Sequence, residues 1–180
     1  DFNFLCVAQI GPRKNVEAVL NSFLDEFKDE EVGLLFKLNS QNDSVMDYYN
    51  VSSMFNNVTR TAKKDGWKCS VNLLHGNLTD EQMHGLYKHP KVKAFVSLTH
   101  GEGFGLPMYE AAYCKLPVIA TGWSGHLDFL TTGKGKKTKK QFAAVKYELQ
   151  EIPEHAVWNG VLHKGSKWAH PDTNDARKKM

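Results

Sequence analysis

Between Ser97 and His126 the chain reads SLTHGEGFGLPMYEAAYCKLPVIATGWSGH, with two carboxylates, Glu102 and Glu110, set around alternating glycines and a proline. Gly101, Gly103 and Gly105 let a ligand come close to the backbone, and Pro107 suits the first turn of a helix. Backbone amides at such a helix start favour anions. A carboxylate at the same mouth repels phosphate but accepts hydrogen bonds from hydroxyls. One ligand satisfies both demands: a diphosphate joined to a sugar, as in a nucleotide sugar. Taken singly, Glu102 reads as a helix cap and Glu110 as half of a surface ion pair; taken as a group, they read as binding residues. A second cluster, GPRKN at Gly11–Asn15, offers Arg13 and Lys14. Two cations there can neutralise a departing diphosphate without a metal.

The elements around these loops follow from hydrophobic spacing. Phe2–Ile10 is a short apolar run bounded by Gly11 and Pro12, which favours a buried strand. Val16, Val19, Leu20, Phe23, Leu24 and Phe27 recur at three and four positions, the pattern of an amphipathic helix. Val32–Leu38 is a second strand, Ser44–Lys64 a second helix, Val71–Gly76 a third strand. Thr79 with Gln82 three residues on is a capping box that opens a third helix. Ala94–Leu98 and a run around Val118–Ala120 are strands four and five. Strand–helix alternation with apolar, non-alternating strands predicts an α/β, Rossmann-like doubly wound parallel sheet. Such sheets bind ligands at the carboxyl ends of their strands. That rule selects Gly11–Asn15, His75–Leu78 and Thr99–Leu106.

On these residues the chain resembles the donor-binding, C-terminal half of retaining GT-B glycosyltransferases, the group 1 or glycogen-synthase-like family. The resemblance runs from about Phe4 to Leu130 and rests on Glu102 and Glu110 in E-x7-E spacing within EGFGLPMYEA, followed by PVIAT. It implies transfer of a sugar from a UDP- or GDP-linked donor to an acceptor hydroxyl with retention of configuration and no cofactor or metal. By residue, it implies that Glu102 contacts the transferred sugar, that the backbone from Gly103 through Phe104 and Gly105 to Leu106 approaches sugar and phosphates, and that Glu110 holds the ribose. Lys14, with Arg13 beside it and Gly11 before it, would meet the diphosphate; His75 lies where the nucleobase would rest. His100 reads equally as a sugar contact or a structural hydrogen bond, Phe104 first as a packing residue, and His126 as a helix cap or cleft residue. The chain departs from the family at Gln9, where Arg is usual, at Asn15, where Gly follows the Lys, and at Lys115 or Leu116, where Gly precedes PVIA. The resemblance also implies a missing N-terminal domain that binds a glycan or lipid-linked acceptor, so residues 1–180 read as one donor domain cut from a longer protein and inactive alone. A GT-B epimerase and a non-catalytic nucleotide-sugar-binding module remain open alternatives.

The whole chain is consistent with that frame. At 180 residues, with 41% hydrophobic and 24% charged residues, it has enough material for one domain with a real core. A net charge of +3 is too mild to argue for nucleic acid. Cys6, Cys69 and Cys114 form no C-x-x-C and read as reduced thiols. His100-Gly101-Glu102 has no P-C-x-x-C companion, which argues against a zinc deaminase. No apolar run reaches membrane-spanning length, and a cytoplasmic protein is expected. Thr131–Gln141 is a basic, glycine-containing loop that permits peripheral membrane contact. Residues 131–180 are expected to be a less regular basic extension, with one short strand in Phe142–Leu149.

Overall fold

The computed structural model describes residues 2–62, 66–133, 135–158 and 160–180. In chain order the elements are β1 (Phe2–Gln9), α1 (Val16–Phe27), β2 (Val32–Asn39), α2 (Val45–Ala62), β3 (Ser70–His75), α3 (Asp80–Tyr87), β4 (Val92–Ser97), α4 (Leu106–Tyr113), β5 (Val118–Thr121) and α5 (Leu127–Leu130). They continue as β6 (Thr131–Thr132), β7 (Lys139–Lys140), β8 (Ala143–Val145), β9 (Tyr147–Glu151), β10 (Lys167–Pro171) and α6 (Thr173–Arg177). The expected helix end at Lys64 lies outside the described residues, as do Lys134 and Asn159 of the two C-terminal loops.

Six strands form one parallel sheet in the order β3-β2-β1-β4-β5-β8. Alternate residues of each strand serve opposite faces. Phe4, Cys6, Phe36 and Leu38 pack with Val19, Leu20 and Phe23 of α1 and Val51 of α2. Leu5, Phe95 and Val118 pack with Tyr87 of α3 and with Met108 and Ala111 of α4. Both faces are therefore covered, which is why these strands read as unbroken apolar runs. The architecture is the Rossmann-like α/β sheet expected from the sequence. Thr79 and Gln82 form the capping box at the start of α3.

The C-terminal fifth of the chain is more tightly built into the domain than its composition suggested. The single strand expected over Phe142–Leu149 is two strands, because Ala143–Val145 pairs with β5 while Tyr147–Glu151 pairs antiparallel with β10. α6 then returns to α1, where Arg177 meets Glu26 at 3.1 Å. Ala176, in α6, is fully buried in the same cluster as Phe4 and Phe23.

Candidate functional site

The carboxyl ends of β1 and β4 lie side by side, and the two loops that leave them are stitched together. The amide of His100 donates to the Arg13 carbonyl at 2.9 Å, the Thr99 hydroxyl donates to the same carbonyl at 3.1 Å, and the Asn15 side-chain amide donates to the Leu98 carbonyl at 3.0 Å. Asn15 has φ 50° and ψ 43°. That left-handed conformation suits Gly or Asn, so Asn15 serves where the family has Gly and adds a cross-loop bond that Gly lacks. Lys115 likewise has φ 63°, which identifies it as the residue standing at the other family glycine. Gln9 donates to the Ser40 carbonyl at 2.6 Å and so faces the β2–α2 loop.

The stitching brings the predicted ionic residues together. Lys14 Nζ lies 2.6 Å from Glu102 Oε1, and Arg13 Nη1 lies 2.9 Å from Glu102 Oε2. Arg13 also donates to the Gly101 carbonyl. The Glu102 side chain is 7% exposed, against 19% for Lys14 and 39% for Arg13. Burial pushes the Glu102 carboxyl upward, but the hydrogen bonds and charges of Lys14 and Arg13 outweigh it and hold the group below its ordinary value. The carboxylate is thus ionised and clasped, and the cluster carries one excess positive charge at the rim.

The glycine loop is held from beneath by residues that motif reading did not single out. Ser124 Oγ accepts from the Glu102 amide at 2.9 Å and donates to its carbonyl at 2.6 Å, and the Gly125 amide donates to that carbonyl at 3.0 Å. A Cβ at Gly125 would sit 1.8 Å from the Gly103 carbonyl oxygen, so only glycine allows the two loops to meet. The GWSG run after β5 was the available signal. Gly105 ends the loop at φ 89° and is the N-cap of α4. Leu106 is exposed. Phe104 corrects the expectation of core packing: its ring is half exposed, in an outward aromatic group with Tyr109 and Phe129 at 5.4 and 4.9 Å.

The remaining predicted residues lie outside this cluster. Glu110, on α4, accepts from the Tyr87 hydroxyl at 2.9 Å. Burial and this bond both raise the Tyr87 pKa. His75, at the end of β3, donates to Asp47 at 2.9 Å, and Asp47 also accepts from the Ser40 and Gln41 amides at 2.9 Å each. Asp47 sits in the first turn of α2 and carried no motif. Gly11 has room around it and borders an apolar cleft of about 340 Å³ between α1, α2 and β2, which none of Arg13, Lys14 or Glu102 lines. His100 is held against the C-terminal segment: its Nδ1 donates to the Ala169 carbonyl at 2.8 Å and its ring stacks on Trp168 at 5.1 Å and 6°. Of its two open readings, the hydrogen-bonded one matches this geometry. His126 is fully buried, with Nε2 donating to the Thr121 carbonyl at 2.7 Å. It occupies the N-cap of α5 without a side-chain cap bond.

Fold and site together define a class: a Rossmann-like α/β domain whose carboxyl-end rim pairs a charged clasp with a helix-opening glycine loop. Residues 1–152 match the model of the family described as glycosyl transferases group 1. The chain belongs to that family. It is 33% identical over 118 residues to the serotype-specific mannosyltransferase WbdA of Escherichia coli, a match covering 65% of this chain and 13% of that protein. It is 32% identical over 127 residues to a probable sucrose-phosphate synthase of Thermosipho melanesiensis, covering 71% of this chain and 28% of that one. Among solved structures, the Anabaena protein HepE in complex with UDP-glucose superposes with TM-score 0.51 at 17% identity, covering 71% of this chain and 32% of that one. Trehalose-6-phosphate synthase OtsA does so with TM-score 0.54 at 10% identity, covering 72% and 31%. These structural likenesses establish the fold. The chain spans less than a third of the length of the curated relatives named.

Proposed function

We propose that this chain is the donor-binding domain of a retaining glycosyltransferase, which moves a sugar from a nucleoside diphosphate to an acceptor hydroxyl. One observation carries the reading: Arg13 and Lys14 from one strand end and Glu102 from the neighbouring one converge beside the glycine-opened start of α4. Clasped by two cations, Glu102 is a placeholder for a dianionic ligand. When a diphosphate takes Lys14 and Arg13, the carboxylate is released toward the sugar hydroxyls it is suited to accept from. The backbone from Gly103 to Leu106 then lies against sugar and phosphate, Glu110 meets the ribose, and the backbone at His75 borders the base.

In the transfer step the bond between the anomeric carbon and the diphosphate oxygen breaks, and the acceptor oxygen bonds to that carbon. The acceptor's proton passes to the departing diphosphate. Attack on the face that the leaving group vacates retains configuration. Charge grows on the diphosphate as it departs, and Lys14 and Arg13 stabilise it without a metal; preorganised contacts of this kind contribute a few kcal/mol each. The acceptor, a glycan or lipid-linked saccharide, is held by a further domain. Among the described residues no helix is long and apolar enough to cross a membrane.

Calorimetric titration of the 180-residue chain with UDP, GDP and their sugars tests the proposal. Saturable binding without turnover is expected. A chain that binds none of them is not a donor domain.

A further inference from the structure

Lys37 stands on β2 between Phe36 and Leu38, which face the α1–α2 side of the sheet. By strand alternation its own side chain belongs to the opposite, α3–α4 face. The register sets it beside Val7 of β1 and Leu74 of β3, and Val7 and Leu35 on that face pack against the second core cluster. The residue is only 6% exposed, and no hydrogen bond or ion pair from its ammonium is found among the described residues. Burial holds its pKa below the usual lysine value. Its ammonium is not among the fully buried unpartnered side-chain atoms of the described residues, so the stem is buried while the tip keeps contact with solvent. Among the described residues, Arg13, Lys14, Glu102 and Asp47 at this rim each have a protein partner, and the Lys37 ammonium has none.

Its position along the rim says what it faces. Lys37 lies two residues before the carboxyl end of β2, a rise of about 7 Å that a lysine stem can bridge. The clasp marks a direction: Glu102 leaves β4, while Arg13 and Lys14 leave β1, and β2 is next in the sheet. Adjacent strands are spaced about 4.8 Å apart, so β2 is roughly 10 Å from β4. A donor with its sugar at Glu102 and its diphosphate at Lys14 therefore continues toward β2 with its nucleoside. We propose that Lys37 is a specificity-determining residue that donates from its ammonium to a keto oxygen of the donor's nucleobase. This rests on the donor-binding reading above and names the base class. A lysine ammonium only donates. Uracil O4 and guanine O6 are acceptors, whereas adenine and cytosine present amino donors at that edge. The site thus selects uracil or guanine over adenine.

The test compares wild type with Lys37→Met, which keeps the bulk and removes the charge. Wild type is expected to bind UDP or GDP more tightly than ADP. In Lys37→Met the affinity for the preferred keto-base nucleotide should fall roughly 10- to 100-fold, the range for a lost hydrogen bond to a charged group. Binding of inorganic pyrophosphate should be unchanged, and the unliganded variant should melt at or above the wild-type temperature. That opposite sign separates ligand binding from a structural role. In wild type, the Cε resonance of Lys37 should shift on addition of the matching nucleoside monophosphate, a readout independent of the variant's folding. Undiminished nucleotide binding by the variant, an equal loss for pyrophosphate, or an unmoved Cε resonance overturns the assignment. If wild-type protein binds no nucleoside diphosphate at all, the donor-binding reading fails first and this one with it.

Discussion

Glu102 and Asp47 are both carboxylates sealed at the same rim, with side chains 7% and 5% exposed. Both are held below their ordinary pKa. They differ in what holds them. Asp47 is fixed by backbone amides of Ser40 and Gln41 and by His75, whose ring also meets Tyr48 edge-on at 5.5 Å. Backbone donors cannot turn to another anion without unravelling the loop. Glu102 is held by Lys14 and Arg13, whose long side chains can. Burial and a depressed pKa are thus common to both sites, and the exchangeability of the partners separates the clasp proposed to bind a ligand from a structural pin.

The sharpest break of that comparison is Lys14→Ala in the two-domain transferase proposed above. Sugar transfer is expected to drop by roughly 100-fold or more, the scale of a lost transition-state charge contact. Turnover within a factor of a few of wild type removes Lys14 from the mechanism. Next in size, Glu102→Gln should have opposed effects: transfer falls, but this chain binds UDP several-fold more tightly, because the competing carboxylate is gone. Weaker UDP binding in that variant would mean that the clasp does not yield its cations to the ligand.

Asp47→Asn should show the contrary profile. A melting temperature lower by several degrees is expected, with nucleotide affinity of the folded protein nearly unchanged; a large affinity loss would place Asp47 among the binding residues. The smallest effect is in pH. Asp47 titrates at about 2 in the fold against 3.8 ordinarily, its bond to His75 being the largest cause. Its contribution to stability is complete above the ordinary value and fades as pH falls from 3.8 toward 2. Acid unfolding of Asp47→Asn should lack that phase, which a pH titration of the far-ultraviolet dichroism would read. The burial-lowered imidazoles of His100 and His126 act earlier, since the stability they lend is complete above 6.5 and declines as pH falls below it.

Much of the fold was legible because its signals are local. Apolar runs over β1, β2 and β4, the three-and-four spacing of α1 and the Thr79–Gln82 box each reside within a few consecutive residues. β8 was not separable from β9, because three residues carry no period and its identity as a strand comes from pairing with β5. Left-handed Asn15 and Lys115 read as departures from a motif until their backbone angles showed Asn and Lys holding glycine positions.

The chemistry divides along the same line. By itself the sequence determined which groups the rim would offer: two cations after the first strand, a carboxylate in the glycine loop, a second carboxylate one helical turn on. Order and spacing along the chain suffice for that, since each group is tied to the end of its own element. Only the tertiary structure decided who binds whom. His75 found Asp47 across 28 residues, His100 found Ala169 across 69, and Glu102 found Lys14 across 88. A hydrogen bond acts over about 3 Å, and which groups come that close is set by strand order and register, quantities that no local pattern of residue types encodes.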